Sequence, residues 1–147
     1  MHRLLPPRLL ILTVLAMMAL RVALPGPVFI SAPWNWLGLP VLCAGLALAI
    51  VASRLFETVG TNIMTFDKPD LLVTSGPFSF SRNPMYLGMG IVVVGLALLL
   101  GSAWPLLPAA AFWIALDRWY VRFEEEKMLQ AFGEDYEAYK RTVRRWI

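Results

Sequence analysis

The stretch from Met85 to Leu100 contains no charged residue and nothing more polar than Tyr86. Three other runs resemble it. Leu9–Leu20 is broken only by Thr13, Leu37–Phe56 only by Pro40, Ser53 and Arg54, and Ala103–Leu116 carries Pro105 and Pro108 near its start. A chain that must place four such runs somewhere has few choices. A bilayer admits helices of ~20 apolar residues, whose backbone groups are satisfied internally. Composition agrees: 59% of residues are hydrophobic, 16% are charged and the mean hydropathy is +0.64. These values exclude a disordered or collagen-like chain and an ordinary cytosolic enzyme. One cysteine excludes a disulfide scaffold, and one histidine, at position 2, excludes a histidine metal site; no metal is expected. The expected fold is an all-α membrane protein of a single domain, 1–147, with spans at about 9–26, 37–56, 84–101 and 104–122.

The first run follows Arg3 and Arg8, as a signal peptide would. Pro25-Gly26-Pro27 is no small-residue cleavage site, so the run is read as a retained span. Every Lys and Arg except Arg21 falls in the N-terminal tail, the loop after the second run or the C-terminal tail. The excess of basic residues on the cytoplasmic side therefore places both termini and the polar site in the cytoplasm. The net charge of +3 suits anionic lipid headgroups, and no nucleic-acid partner is expected. Arg21 is expected to snorkel toward the far headgroups. Cys43, among Leu42, Ala44 and Gly45, is expected to be a small packing residue.

Two stretches are too patterned to be connectors. The first runs from Glu57 to Asn83 and is rich in apolar residues, among them Ile63, Met64, Phe66, Leu71, Leu72, Val73 and Phe78. A long loop of this kind is usually functional. Ser75-Gly76-Pro77 reads as a turn. Asn83-Pro84 reads as a helix start, with Asn83 as cap and Pro84 at the first helical position. A helix N-terminus beside Arg82 suits an anion such as a carboxylate. Gly88 lies four residues after Pro84 on one face, where a ligand or another helix could approach the backbone. The second stretch, Tyr120–Ile147, opens on Glu124-Glu125-Glu126. Met128 and Phe132 share the face of Glu124 at four-residue steps, so Glu124 points to the packed side and Glu125 is turned ~100° away. Arg82 and Glu124 together would satisfy a zwitterionic amino-acid moiety. Gly133 predicts a break between two short helices, and Arg144-Arg145-Trp146 reads as an interfacial anchor.

Gly76-Pro77-Phe78 with Arg82-Asn83-Pro84-Met85-Tyr86-Leu87-Gly88 resembles the R-H-P-x-Y-x-G motif of the isoprenylcysteine carboxyl methyltransferases, and Asn-Pro-Met-Tyr resembles that of the phospholipid methyltransferases. Glu124-Glu125, Phe132-Gly133-Glu134-x-Tyr136-x-x-Tyr139 and Val143-x-Arg145 resemble the second half of that signature. The likeness covers about 58–147. It implies an integral-membrane methyltransferase using S-adenosyl-L-methionine, with a cytoplasmic loop and a C-terminal amphipathic helical segment covering the cofactor. Carried over, the cofactor residues are Leu71, Leu72, Val73, Phe78, Arg82, Asn83, Pro84, Met85, Tyr86, Glu124 and Glu125. Asn83 replaces the motif's titratable His, Phe78 stands where many members have Tyr, and Tyr120 stands where the eukaryotic enzymes place a substrate-binding Arg. The acceptor implied is a lipophilic small molecule or lipid-linked substrate. No general base is evident; Tyr86, Glu124 and Glu125 are the candidates for catalytic roles. Competing expectations are a phospholipid N-methyltransferase, a membrane oxidoreductase like the sterol reductases, and a non-catalytic protein that keeps the fold.

Overall fold

A computed structural model describes residues 5–59 and 71–147. Ile63, Met64, Phe66 and Lys68, and with them the centre of the loop singled out above, lie outside the described residues. Among the described residues, five α-helices follow in order: α1 (Pro6–Ala23), α2 (Gly38–Val59), α3 (Pro84–Leu100), α4 (Leu106–Ala115) and α5 (Arg122–Thr142). Short 3₁₀ turns occupy Trp34–Leu37 and Gly76–Ser79, and a π-helical segment, Leu116–Val121, joins α4 to α5. The described residues contain no strand beyond one isolated bridge, Val28 to Ser102.

Local sequence explains the helix ends. Pro6 and Pro84 stand in the first turns of α1 and α3, where a missing N–H costs nothing. α1 stops at Ala23 because Leu24 precedes a proline and is driven extended, with φ −119° and ψ 105°. α3 stops at Gly101, whose φ of +61° is a left-handed cap. The fourth predicted span differs from expectation. α4 does not end near residue 122; it passes through the π segment straight into α5. The expected break at Gly133 is present as a kink, with φ +51° and ψ −118°.

Helix α3 is the centre of the molecule, with α2 against one side and α1 and α4 against the other. Met17 of α1, Tyr86, Val93 and Ala97 of α3, Ala109 and Phe112 of α4, and Leu116 and Val121 of the π segment form one buried cluster. The large apolar residues Ile11, Leu12, Leu15, Met18 and Val22 of α1 face outward instead. A soluble protein would not leave such a face uncovered. Two helices, Pro6–Ala23 and Trp34–Phe56, are long and apolar enough to cross a membrane, and α3 is a shorter apolar helix.

Glycines decide how α2 meets α3. Gly38 and Gly45 of α2 face Gly95 and Gly88 of α3, in antiparallel order. A Cβ on Gly88 would lie 2.6 Å from both the Ala49 nitrogen and the Gly45 carbonyl oxygen. A Cβ on Gly45 would lie 2.6 Å from the Val92 nitrogen and 2.7 Å from the Gly88 carbonyl oxygen. Backbones therefore touch along the seam, the arrangement that small residues permit between apolar helices. Of the two roles expected for Gly88, it serves helix contact. Cys43 corrects its expectation: it is exposed on α2 rather than packed.

The last carbonyls of α3 are satisfied from outside. Arg21 Nε donates to the Leu100 carbonyl at 3.0 Å, and Asn35 Nδ2 donates to the Leu99 carbonyl at 3.0 Å. Arg21 thus ties α1 to the end of α3 instead of only reaching for headgroups.

Candidate active site

At the opposite end of α3 the polar residues converge. The Gly76–Ser79 turn packs Phe78 against Val73 and Ala52, with Phe56 edge-on at 5.0 Å between ring centroids. Met85 joins this cluster, and Leu72 packs against Tyr136, Tyr139 and Val143 of the C-terminal region. Leu71 is exposed. The predicted set from Leu72 to Tyr86 is therefore brought together around the start of α3, with Leu71 at its edge.

Asn83 and Pro84 are buried, but Asn83 does not cap the helix with its side chain. Its Nδ2 instead donates to the Arg145 carbonyl at 3.1 Å. Ser81 Oγ donates to the same carbonyl at 3.3 Å, and the Arg82 amide donates to the Arg144 carbonyl at 3.0 Å. The residues after α5 thus run as a strap across the turn before α3. This corrects the interfacial-anchor reading of Arg144-Arg145-Trp146. Trp146 packs edge-on against Trp113, 5.2 Å between centroids, and its Nε1 donates to Asp117 at 3.1 Å.

The two adjacent acids part company, as their ~100° separation requires. Tyr86 Oη donates to Glu124 Oε1 at 2.5 Å. Tyr120 lies beside Tyr86, 6.4 Å between ring centroids. Glu125 turns the other way. Its Oε1 lies 2.9 Å from Arg82 Nη2 and accepts from Arg145 Nε at 3.2 Å, while its Oε2 accepts from Arg145 Nη2 at 2.6 Å. Arg145 Nη1 reaches Asp117 Oδ1 at 3.3 Å. The charges alternate along a chain: Asp117, Arg145, Glu125, Arg82. Arg82, expected to act with Glu124 on a zwitterion, thus already has one acidic neighbour in Glu125.

Arg82 nevertheless keeps donors to spare. Its side chain is 10% exposed, and its Nε and Nη1 are buried with no hydrogen-bond partner among the described residues. Buried polar atoms are nearly always satisfied, and an exception calls for a ligand or water. Either donor suits a carboxylate oxygen, the two lying on different edges of the guanidinium, and an acceptor such as Glu124 fits a cationic group. Among the described residues no group of His, Cys, Asp and Glu could hold a metal.

Sequence reasoning missed Asp117 and the ion-pairing role of Arg145. A carboxylate closing an otherwise uncharged apolar run was the available signal for Asp117. Tyr139 entered only as part of the motif and was given no contact; its hydroxyl donates to the Phe78 carbonyl at 2.6 Å and locks α5 over the turn. Burial pushes the Tyr139 hydroxyl up to about 12, partly offset by the Arg82 charge. Burial, with the negative field of Glu125, raises Tyr136 too. The salt links to Glu125 and Asp117 hold Arg145 protonated more firmly than usual, against its partial burial. Since Tyr139 ionises near 10.0 when unfolded, its contribution is fully present below pH 10 and is lost as pH rises toward 12. Alkaline titration followed by tyrosinate absorbance is expected to show Tyr139 and Tyr136 ionising together with release of α5, with one tyrosinate fewer in that step in Tyr139→Phe.

Comparison with known proteins gives the family and the fold. A family profile described as phospholipid methyltransferase matches residues 34–135. The protein-S-isoprenylcysteine O-methyltransferase of Schizosaccharomyces pombe is 31% identical over 80 residues, which are 52% of this chain and 33% of that protein. An uncharacterised Haemophilus influenzae protein is 30% identical over 63 residues, 43% of this chain and all of that one. The solved structure of the eukaryotic intramembrane Ras methyltransferase, isoprenylcysteine carboxyl methyltransferase, superposes with a TM-score of 0.71 at 22% identity, over 95% of this chain and 50% of that chain. The chain thus spans a third of the yeast relative and half of the solved one. With the apolar helices, the matched profile and this shared fold, the chain is an integral-membrane protein that belongs to the phospholipid methyltransferase family.

Proposed function

We propose that this protein is a methyltransferase that moves a methyl group from S-adenosyl-L-methionine to a lipophilic acceptor entering from the bilayer. The observation that carries this reading is the buried guanidinium of Arg82, with two donors open just before α3, and the pair that Tyr86, in the first turn of that helix, makes with Glu124. Arg82 would hold the cofactor's carboxylate, and Glu124 would face its cationic side. Leu72, Val73, Phe78, Asn83, Pro84 and Met85 would complete the enclosure, with Leu71 at the rim. S-adenosylmethionine, when bound, supplies a methyl group already activated on a sulfonium. The protein's contribution is then alignment and exclusion of water rather than strong acid or base chemistry.

Glu125 is engaged by two guanidiniums, so its role is to orient Arg82. The Tyr86–Glu124 pair is the better candidate to take a proton from an acceptor that must lose one. We read four spans with both termini in the cytoplasm, an arrangement that would put this site at the inner headgroup level, where a lipid-soluble acceptor can meet a water-soluble cofactor. The relatives' names point to two kinds of acceptor, a carboxyl group and a phospholipid, which we take to be methylated at an amine. Tyr120 in place of a carboxylate-binding Arg, with Glu124 nearby, favours the amine.

Calorimetry on detergent-purified protein tests the reading. Wild type is expected to bind S-adenosylhomocysteine at micromolar levels, and Glu124→Ala about tenfold more weakly, the loss of one charge-assisted contact. A well-folded wild type that binds neither S-adenosylhomocysteine nor S-adenosylmethionine would overturn it.

A further inference from the structure

We infer that Arg145 is a positioning residue that keeps the Arg82 guanidinium open, by holding the one Glu125 oxygen that would otherwise close over it. The inference rests on the cofactor reading above. A carboxylate beside an arginine prefers the paired, two-bond fork. Glu125 makes only half of that fork with Arg82: Oε1 meets Nη2 at 2.9 Å. The natural partner for Oε2 is Arg82 Nε, which shares an edge of the guanidinium with Nη2. That Nε is buried and has no partner among the described residues. Oε2 is instead held by Arg145 Nη2 at 2.6 Å, with Arg145 Nε on Oε1 at 3.2 Å. Arg145 therefore takes the fork that Arg82 is denied.

Arg145 is itself oriented. Its Nη1 lies on Asp117 Oδ1, and that oxygen also accepts from Trp146 Nε1. Its main-chain carbonyl is fixed by Ser81 and Asn83. The backbone strap thus holds independently of the side chain, so changing the side chain leaves the strap in place. With the Arg145 side chain shortened, Glu125 can rotate and chelate Arg82 through Nε and Nη2; an incoming carboxylate then loses Nε and meets only Nη1, on a guanidinium whose charge is already paired.

The test compares two probes on Arg145→Gln and Arg145→Lys. S-adenosylhomocysteine carries the carboxylate; 5′-methylthioadenosine lacks the whole amino-acid moiety. The expected result is a loss of about tenfold for S-adenosylhomocysteine in Arg145→Gln, with 5′-methylthioadenosine unchanged. Arg145→Lys should fall between, because an ammonium cannot chelate both oxygens. The double variant Arg145→Gln/Glu125→Gln should recover affinity relative to Arg145→Gln, since a neutral amide does not close the fork. Equal weakening of both probes, or of neither, would overturn the inference. A second readout needs no cofactor. In protein labelled with ¹⁵N-arginine, the Arg82 Nε resonance, identified by its loss in Arg82→Lys, should shift in Arg145→Gln; an unmoved resonance overturns the inference as well. If folded wild type binds neither probe, the cofactor reading fails, and the resonance still decides what Arg145 does to Arg82.

Discussion

Replacing Arg82 by alanine should lower affinity for S-adenosylhomocysteine by about a hundredfold, roughly 3 kcal/mol, while leaving the protein folded. The size follows from burial. Arg82 is nearly enclosed, so a carboxylate bound there would be desolvated, and removing the guanidinium strands it without a counter-charge. The fold survives because Glu125 retains its two bonds to Arg145. Thermal unfolding should therefore change little beside the change in binding. Arg82→Lys keeps the charge but not the fork and should be intermediate. Calorimetry of the variants beside wild type checks the ordering. An Arg82→Ala protein that binds as tightly as wild type would remove Arg82 from the site.

Gly88→Val should cost about 3 kcal/mol of stability, or prevent folding outright. The new Cβ meets two backbone atoms of α2 at 2.6 Å, and backbone cannot rotate away as a side chain can. To reach ordinary contact the helices must part by roughly 1 Å, and the close packing of Gly45 with Val92 is lost along with it. The change also reaches the site, because Gly88 sits one turn after Pro84 and the Arg82 turn packs against α2 through Phe78. Thermal unfolding in detergent measures the first effect. Leu87, buried on the side of Gly88's own helix, provides the contrast: Leu87→Met conserves volume and should cost under about 1.5 kcal/mol. A Gly88→Val variant as stable as wild type would contradict the seam.

The limits of α3 were legible because Pro84 and Gly101 act through their own backbones. The divergence of Glu124 and Glu125 was legible because helical phase alone fixes it. The partner of Arg82 was not, because Glu125 is distant in the chain and Arg145 competes for it; only tertiary placement shows which cation takes which oxygen. The π segment was not legible either, since the same residues can form i→i+4 or i→i+5 bonds. Cys43 misled for a different reason. On a surface facing lipid, any small apolar side chain is acceptable, so size there carries no information about packing. Asn83 misled because capping needs its Oδ1 to accept from the first-turn amides, whereas the strap turns the side chain so that its Nδ2 donates to the Arg145 carbonyl.

The donors that Arg21 and Asn35 place on the final carbonyls of α3 bear on the membrane itself. At 17 residues α3 is about 25 Å long, short of the ~30 Å hydrocarbon layer it would cross in the four-span arrangement. A helix ending below the headgroups normally leaves carbonyls with neither water nor partner. Here the neighbouring segments provide those partners, so α3 can end inside the hydrocarbon without reaching for the surface. A bilayer thinned locally around the protein would meet the rest of the mismatch in that arrangement, so thin membranes should suit it better than thick ones.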